Sequence, residues 1–425
     1  MVAARQSVLS KTWRLVIPQR IWEAVWRGIG VQAHRCAVSP LRWQNSQRTI
    51  SLIAEDAAMA DSLPRGSDRL AADDWLMIYP CEDVRDPDTM RSMVHTIQPG
   101  PSQTLVLLLV DATKHASWNA GCVHQRELFA LDQVQCVGSG MLRLGAASEH
   151  SSTNSKRWSR TRGALGTPVL HKIRTADVTL VGAGRNGSAA AFQLASLGVR
   201  RLRLIDGDRL KLENMDAMVG LNFSDVGSRK VSALARRLQA FRPDLALTVL
   251  KNSVTTAAAQ AILQEPADLI VTCVDNDAAR LSVAMAARQS CTLHLDIGTN
   301  VARDDERHSA LFGDARILLP GEGCVACVGP MPDLERRRFE LNMRSDHLHH
   351  QLGPTWNMQR AGSLVTFNAM TVAAGVQLWI ELLAGHLRGS HWQRFDWDSE
   401  TGLDARSAAV SADKDCEICW RWRDS

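Results

Sequence analysis

The sequence predicts an α/β protein in two parts. A parallel sheet with helices occupies the C-terminal portion, and a small α+β domain precedes it. Three observations carry this expectation. From Asp177 onward, buried-strand and helix patterns alternate as β-α-β. Three closely spaced glycines stand between the first of these strands and its helix. The chain is also 425 residues long, enough for two or three domains of roughly 150 residues each.

The elements follow in order. Trp13-Arg-Leu-Val-Ile-Pro18 reads as a short strand stopped by a proline, and 19–28 as a helix with Ile21, Ala24 and Val25 on one face. Segments 51–54, 75–79 and 105–110 read as further strands. These define an N-terminal domain over 1–145. Residues 146–170, rich in Ser, Thr, Gly and Arg, read as a linker or surface arm. The parallel-sheet domain takes 171–425. Within it, 178–181 is a buried strand, 188–197 a helix ended by Gly198, and 201–205 a second strand. Helix 230–241 stops before Pro243, and 247–250 and 267–274 are further strands.

Composition narrows the function. Hydrophobic residues are 45% and charged residues 22%, so the chain is not globally disordered. Lys+Arg number 49 against 45 Asp+Glu, a formal charge of +4 that does not argue for nucleic acid. No stretch approaches a membrane span, and the longest clean apolar run is 105–110. Arg14, Arg20 and Arg27 interrupt every leader-like run near the N-terminus. The expectation is a cytoplasmic protein without membrane contact. Its ten cysteines would stay reduced there, so their spacing points to metal rather than disulfides.

Gly182-Ala-Gly184-Arg-Asn-Gly187 fits G-x-G-x-x-G between a strand and a helix. Such glycines allow a tight turn and let backbone N–H groups approach phosphate oxygens, with the helix N-terminus adding its positive end. Asp206 ends the next strand 22 residues after Gly184, where a carboxylate accepts from ribose hydroxyls. The fold is therefore read as Rossmann-like and the ligand as a nucleotide. The alternative is a turn that only packs helix on sheet. The turn does not separate NAD from ATP, but the general acid or base that an NAD dehydrogenase needs is not found.

Cys324-Val-Ala-Cys327 and Cys416-Glu-Ile-Cys419 are two C-x-x-C pairs. One tetrahedral Zn2+ with four thiolates and no open position satisfies both, pinning distant segments together. A redox centre is the alternative for either pair alone.

Three further stretches carry a resemblance: Leu204-Ile-Asp206-Gly-Asp208-Arg-Leu-Lys-Leu-Glu-Asn214-Met-Asp216, Asp225-Val-Gly227-Ser-Arg-Lys230, and Val271-Thr-Cys-Val-Asp275-Asn276. Residues 157–420 are similar to the ThiF/MoeB and ubiquitin-activating-enzyme superfamily, which adenylates the C-terminal glycine of a ubiquitin-like protein. The resemblance implies that the glycine turn holds ATP phosphates. It implies Asp206 on the ribose with Asp208 close by, Asn214 and Lys230 on the phosphates, and Asp275 on Mg2+. It also implies structural zinc at the four cysteines. Arg157-Trp-Ser-Arg160-Thr looks like the family's arginine-bearing arm, whose arginine crosses to a partner subunit's ATP site. Arg160 is then catalytic in a homodimer. The family carries an arginine where this chain has Ala217; Arg185 is the expected substitute and Arg229 a second candidate.

The family's crossover loop would run over 328–360. It contains Arg336 to Arg338 and His347, His349 and His350, but no cysteine. An internal thioester is therefore not expected there. The activated carboxylate would pass to a partner cysteine, as on a conjugating-enzyme-like protein. The implied setting is a bacterial ubiquitin-like conjugation route of the antiviral-defence kind, with sulfur-carrier activation and a non-catalytic binding protein as alternatives. The N-terminal domain lacks the His-x-His-Pro pattern of a JAMM-type peptidase, since His115 and His124 do not have metal spacing. It is expected to bind the ubiquitin-like protein or a partner, and to be degenerate if it is of that descent.

Overall fold

The computed structural model describes residues 11–29, 36–45, 49–54, 58–60, 74–81, 87–97, 99, 103–111, 118–124, 127–131, 133–139, 141–145, 156–304, 308–328, 364–398, 402–414, 416 and 419. The chain divides into two compact units, Met1–Val137 with Met141–Ser148, and Gly138–Gly140 with Glu149–Ser425.

The N-terminal unit holds β1 (Thr12–Pro18), α1 (Gln19–Ile29), β2 (Cys36–Asn45), β3 (Thr49–Ala54), β4 (Ala58–Ala60), β5 (Trp75–Cys81), α2 (Pro87–Ile97), β6 (Thr104–Asp111), β7 (Trp118–His124), β8 (Glu127–Ala130), β9 (Gln133–Val137) and β10 (Leu142–Gly145). The strands form one mixed sheet in the order β10-β9-β1-β3-β2-β5-β6-β7-β8, with β4 beside β2. Alternation along β1 sends Trp13, Leu15 and Ile17 to one face, where Ile21 and Val25 of α1 join them in the core. Ala24, expected on that face, is exposed. On the opposite face Met77, Leu105, Leu107 and Leu109 pack with Met90, Met93 and Ile97 of α2.

The second unit begins with a 3-10 turn, Lys156–Trp158, and α3 (Ser159–Thr175), kinked at Gly166 (φ 75°). Residues 146–170, read as a linker or surface arm, therefore include most of a helix. β11 (Asp177–Val181), α4 (Arg185–Leu197), β12 (Arg201–Ile205), α5 (Lys230–Phe241), β13 (Ala246–Leu250), α6 (Ala257–Leu263), β14 (Leu269–Thr272), α7 (Asp277–Gln289) and β15 (Leu293–Asp304) follow. Antiparallel β16 (His308–Leu318), α8 (Val365–Ala384), β17 (His391–Asp398) and β18 (Gly402–Ala409) complete it.

The sheet order is β13-β12-β11-β14-β15-β16-β17-β18, parallel from β13 to β15 and antiparallel beyond. The parallel part runs third, second, first, fourth, fifth strand, which is the Rossmann-like order. Its chain reversal falls between β11 and β14. That is where the glycine turn after β11 and Asp275 after β14 emerge, in the crevice that serves ligands in such sheets.

α8 is long and apolar enough to cross a membrane by length and composition, which the sequence reading did not anticipate. Its Thr, Asn, Gly and Gln residues break up any clean apolar run. The helix packs on β15 and β16 instead: a side chain at Gly313 would meet Thr371 and Phe367, and one at Gly375 would meet Ile297. Trp379 and Leu382 are fully buried.

Candidate active site

The glycine turn is built for close packing at two positions and left open at the third. Gly182 has φ 91°, and an added Cβ would lie 2.4 Å from the Cys273 carbonyl oxygen. At Gly187 the Cβ would lie 1.9 Å from the Gly182 oxygen. Gly184, the N-cap of α4, meets nothing within 4 Å. Packing explains the first and third glycines, while the second leaves free space against the helix start.

Asp206 braces this turn. Its Oδ2 accepts from the Ala183 N–H at 2.7 Å and its Oδ1 from the Asp208 N–H at 2.7 Å. Burial pushes its carboxyl above the usual range, against the pull of the Lys230 charge and the two amides. Lys230 Nζ then donates to Asp208 Oδ2 at 2.8 Å. A continuous series of bonds thus joins the turn to Asp206, Asp208 and Lys230.

The remaining expected residues sit around this series. Asn214 accepts from the Lys211 N–H at 3.0 Å and closes a 3-10 turn. Asp225 ties the turn before α5 to the middle of that helix: its buried carboxylate takes Arg236 at 3.0 Å and Arg237 at 2.9 Å. Burial opposes its ionisation, yet the Asn222 amide and these guanidiniums hold its carboxyl below the usual range. Asp275 is exposed at the end of β14, and the cap of α7 is Asn276, whose Oδ1 accepts from Ala279 N at 2.8 Å. Asp275 is therefore not spent on capping.

Ala217 is buried. Arg185 lies within the glycine turn, 3.9 Å from Asp216, and its Nε is buried without a hydrogen-bond partner. Arg229 is engaged with the Gly207 carbonyl.

The arm reaches the core through Trp158, and Arg157 adds an ion pair to Asp244 at 3.2 Å. Trp158 is buried, and Arg157, Arg174 and Arg242 lie over its ring at 5.0, 5.1 and 5.8 Å. Any side chain at Gly198 (φ 97°) would strike that ring. Arg160, two residues along, is exposed and has no partner among the described residues. The crossover loop, with Arg336 to Arg338 and His347, His349 and His350, lies outside the described residues, as does His115. His124 bonds Thr104 Oγ1 at 2.9 Å and packs on Trp13 and Trp43.

The four cysteines meet although 92 residues separate the pairs. Cys324 and Cys416 sulfurs lie 3.6 Å apart, Cys327 and Cys419 3.5 Å, and Cys324 and Cys327 3.9 Å. All four lie within 4.8 Å of one another. Zinc–sulfur bonds of about 2.3 Å at tetrahedral angles imply sulfurs about 3.8 Å apart, so the cluster fits structural zinc. The Asp413 N–H donates to Cys327 Sγ at 3.3 Å, an outer contact suited to a thiolate.

One network escaped the sequence reading. Asp296, fully buried, receives Arg280 at 2.5 Å and Arg316 at 2.7 Å. Its signal was an acid inside the otherwise apolar run Leu293-His-Leu-Asp-Ile. Next to it His294 is buried against Thr272 Oγ1 at 2.8 Å, and burial lowers its pKa to about 4.

Known proteins resemble part of this chain. "Ubiquitin-like modifier-activating enzyme 5" of Gallus gallus is 30% identical over 194 residues, 42% of this chain and 47% of that protein. The Drosophila persimilis protein of the same name is 30% identical over 172 residues, 38% of this chain and 43% of that protein. The chain thus spans less than half the length of these relatives. The crystal structure of E. coli MccB with ATP has a TM-score of 0.46 and 18% identity, covering 63% of this chain and 76% of that one, too remote to carry an argument. The ThiF family matches residues 158–415, well over half of the sequence, and the chain belongs to that family.

Proposed function

We propose that this protein adenylates the C-terminal glycine of a ubiquitin-like protein with ATP and Mg2+. The observation that carries the reading is the bonded series from Ala183 through Asp206 and Asp208 to Lys230. It places a carboxylate and a shielded ammonium beside the glycine turn, where Gly184 leaves free space at the start of α4. The names of the relatives support a protein substrate of this class.

In the reaction a terminal carboxylate oxygen attacks the α-phosphorus of ATP. The acyl–oxygen–phosphorus bond forms, the α–β phosphoanhydride bond breaks, and pyrophosphate leaves. Charge accumulates on phosphate oxygens, and Lys230, Arg185 and the amides at the start of α4 stabilise it. Mg2+, when bound with the nucleotide, supplies further charge neutralisation, and Asp275 is the residue to hold it. Asp206 accepts from the ribose, and Asn214 reaches the phosphates with its amide. Arg160 completes the site of a partner subunit in a homodimer. The adenylate then passes to a cysteine of a conjugating-enzyme-like partner, and the N-terminal unit binds one of these proteins. Zinc at the four cysteines is structural.

Pyrophosphate exchange into ATP, dependent on a ubiquitin-like protein ending in glycine, tests the reading; no exchange with any such protein overturns it. Buried Ala217 favours a second reading, a nucleotide-binding protein without chemistry. Wild-type exchange separates them, and Arg185→Ala then tests the substitute arginine. Exchange falling by about 100-fold supports Arg185 as the substitute arginine, and undiminished exchange sinks that role.

A further inference from the structure

Arg280 lies five positions beyond Asp275 and is held from two sides. Its Nη1 donates to Asp296 Oδ2 at 2.5 Å, and its Nη2 donates to the Val274 carbonyl at 3.0 Å. That carbonyl belongs to the peptide group joining Val274 to Asp275. Asp296 cannot shift to follow a moving guanidinium. It is fully buried on β15, in register with Thr272 of β14, and also clamped by Arg316 of β16 at 2.7 Å. Gly298 makes the room: an added Cβ would stand 2.9 Å from Nη2 and 3.0 Å from Nη1 of Arg280. One planar fork therefore ties the backbone just before Asp275 to a fixed acid in the sheet.

We propose that Arg280 is a positioning residue for the divalent cation. It holds the Val274–Asp275 peptide so that the exposed Asp275 carboxylate is presented to Mg2+ bound with the nucleotide. This inference rests on the function proposed above. The geometry needs two divergent N–H groups in one plane, which a guanidinium has and a lysine ammonium lacks. Residues behind a metal ligand commonly change metal affinity by 10–100-fold when altered.

The test is ATP affinity measured by calorimetry on the full zinc-loaded chain, with Mg2+ and without added divalent cation. Arg280→Lys keeps a positive charge against Asp296 and loses the fork. It is expected to reduce the Mg2+-dependent gain in ATP affinity by about 10-fold, while affinity for metal-free ATP, zinc content and melting midpoint stay near wild type. In exchange assays the Mg2+ concentration for half-maximal rate rises correspondingly. Should Arg280→Lys fail to fold, Gly298→Ala carries the same test, because its methyl displaces the guanidinium while both charges remain. An undiminished Mg2+ gain in a folded variant overturns the proposal, as does an equal loss of metal-free affinity. Wild-type protein that binds no ATP under either condition ends the functional reading, and this inference with it. Wild-type protein that gains affinity with Mg2+ alongside unaffected variants ends this inference alone.

Discussion

Lys230 Nζ stands 2.8 Å from Asp208 Oδ2, and the Lys230 backbone N–H donates to the Asp208 carbonyl at 2.9 Å. The two residues are thus locked at both backbone and side chain, with 22 positions between them in the chain. The lysine side chain is 13% exposed and the aspartate side chain 70%. A shielded cation with one carboxylate at the solvent side is ready for a second anion. Lys230→Ala should lower pyrophosphate exchange by about 100-fold or more. Its melting midpoint should hardly move, because a pair with one partner this exposed contributes little to stability. A large drop in melting midpoint with retained exchange would assign Lys230 to the fold alone.

The glycine turn separates packing from ligand contact. Gly187→Ala forces a methyl onto the Gly182 oxygen and should cost about 3 kcal/mol, read as a lower melting midpoint. Gly184→Ala has open space and an extended backbone, so its melting midpoint should match wild type while ATP affinity falls. Calorimetry and thermal unfolding on the same two variants check both halves.

Zinc content should be one atom per chain by elemental analysis. Cys416→Ser leaves three thiolates and should lose the metal, with an earlier and broader unfolding transition. Retained zinc at full stoichiometry in this variant would contradict the four-thiolate site.

His294 makes stability depend on pH. Its folded pKa of about 4 lies below the ordinary value of 6.5, so on acidification the unfolded chain takes up the proton first. The stability it contributes is complete above pH 6.5, declines as pH falls to about 4, and is constant below that. A shift of this size corresponds to about 3 kcal/mol. Denaturant titrations between pH 7 and 4 should show the loss, and His294→Gln should flatten it.

Several features were legible because they are local. The strand before Gly182, the helix after it and the acid at 206 follow from periodicity and spacing within some 30 residues. Both C-x-x-C pairs are visible as pairs. Their meeting across 92 residues was inferred from zinc chemistry, and only the fold brings the sulfurs within 4.8 Å. The helix over 159–170, in the stretch read as a linker or surface arm, was not legible because a small-residue helix with Gly166 and Pro168 lacks apolar periodicity. Trp158 anchors that segment by contact with Gly198 and Arg242, far along the chain.

By its own pattern the amino-acid sequence determined the β-α-β unit and the nucleotide-type turn, while the family resemblance supplied Asn214, Lys230 and Asp275 as the residues expected near it. Tertiary structure decided what each of them is bonded to. Asp206 became a brace for the turn, Lys230 a partner of Asp208, and Arg280 a tie between Val274 and Asp296. The reason is physical: helix and strand patterns report neighbours a few positions apart, whereas burying a charge such as Asp296 depends on partners 16 and 20 positions away that only the folded sheet supplies.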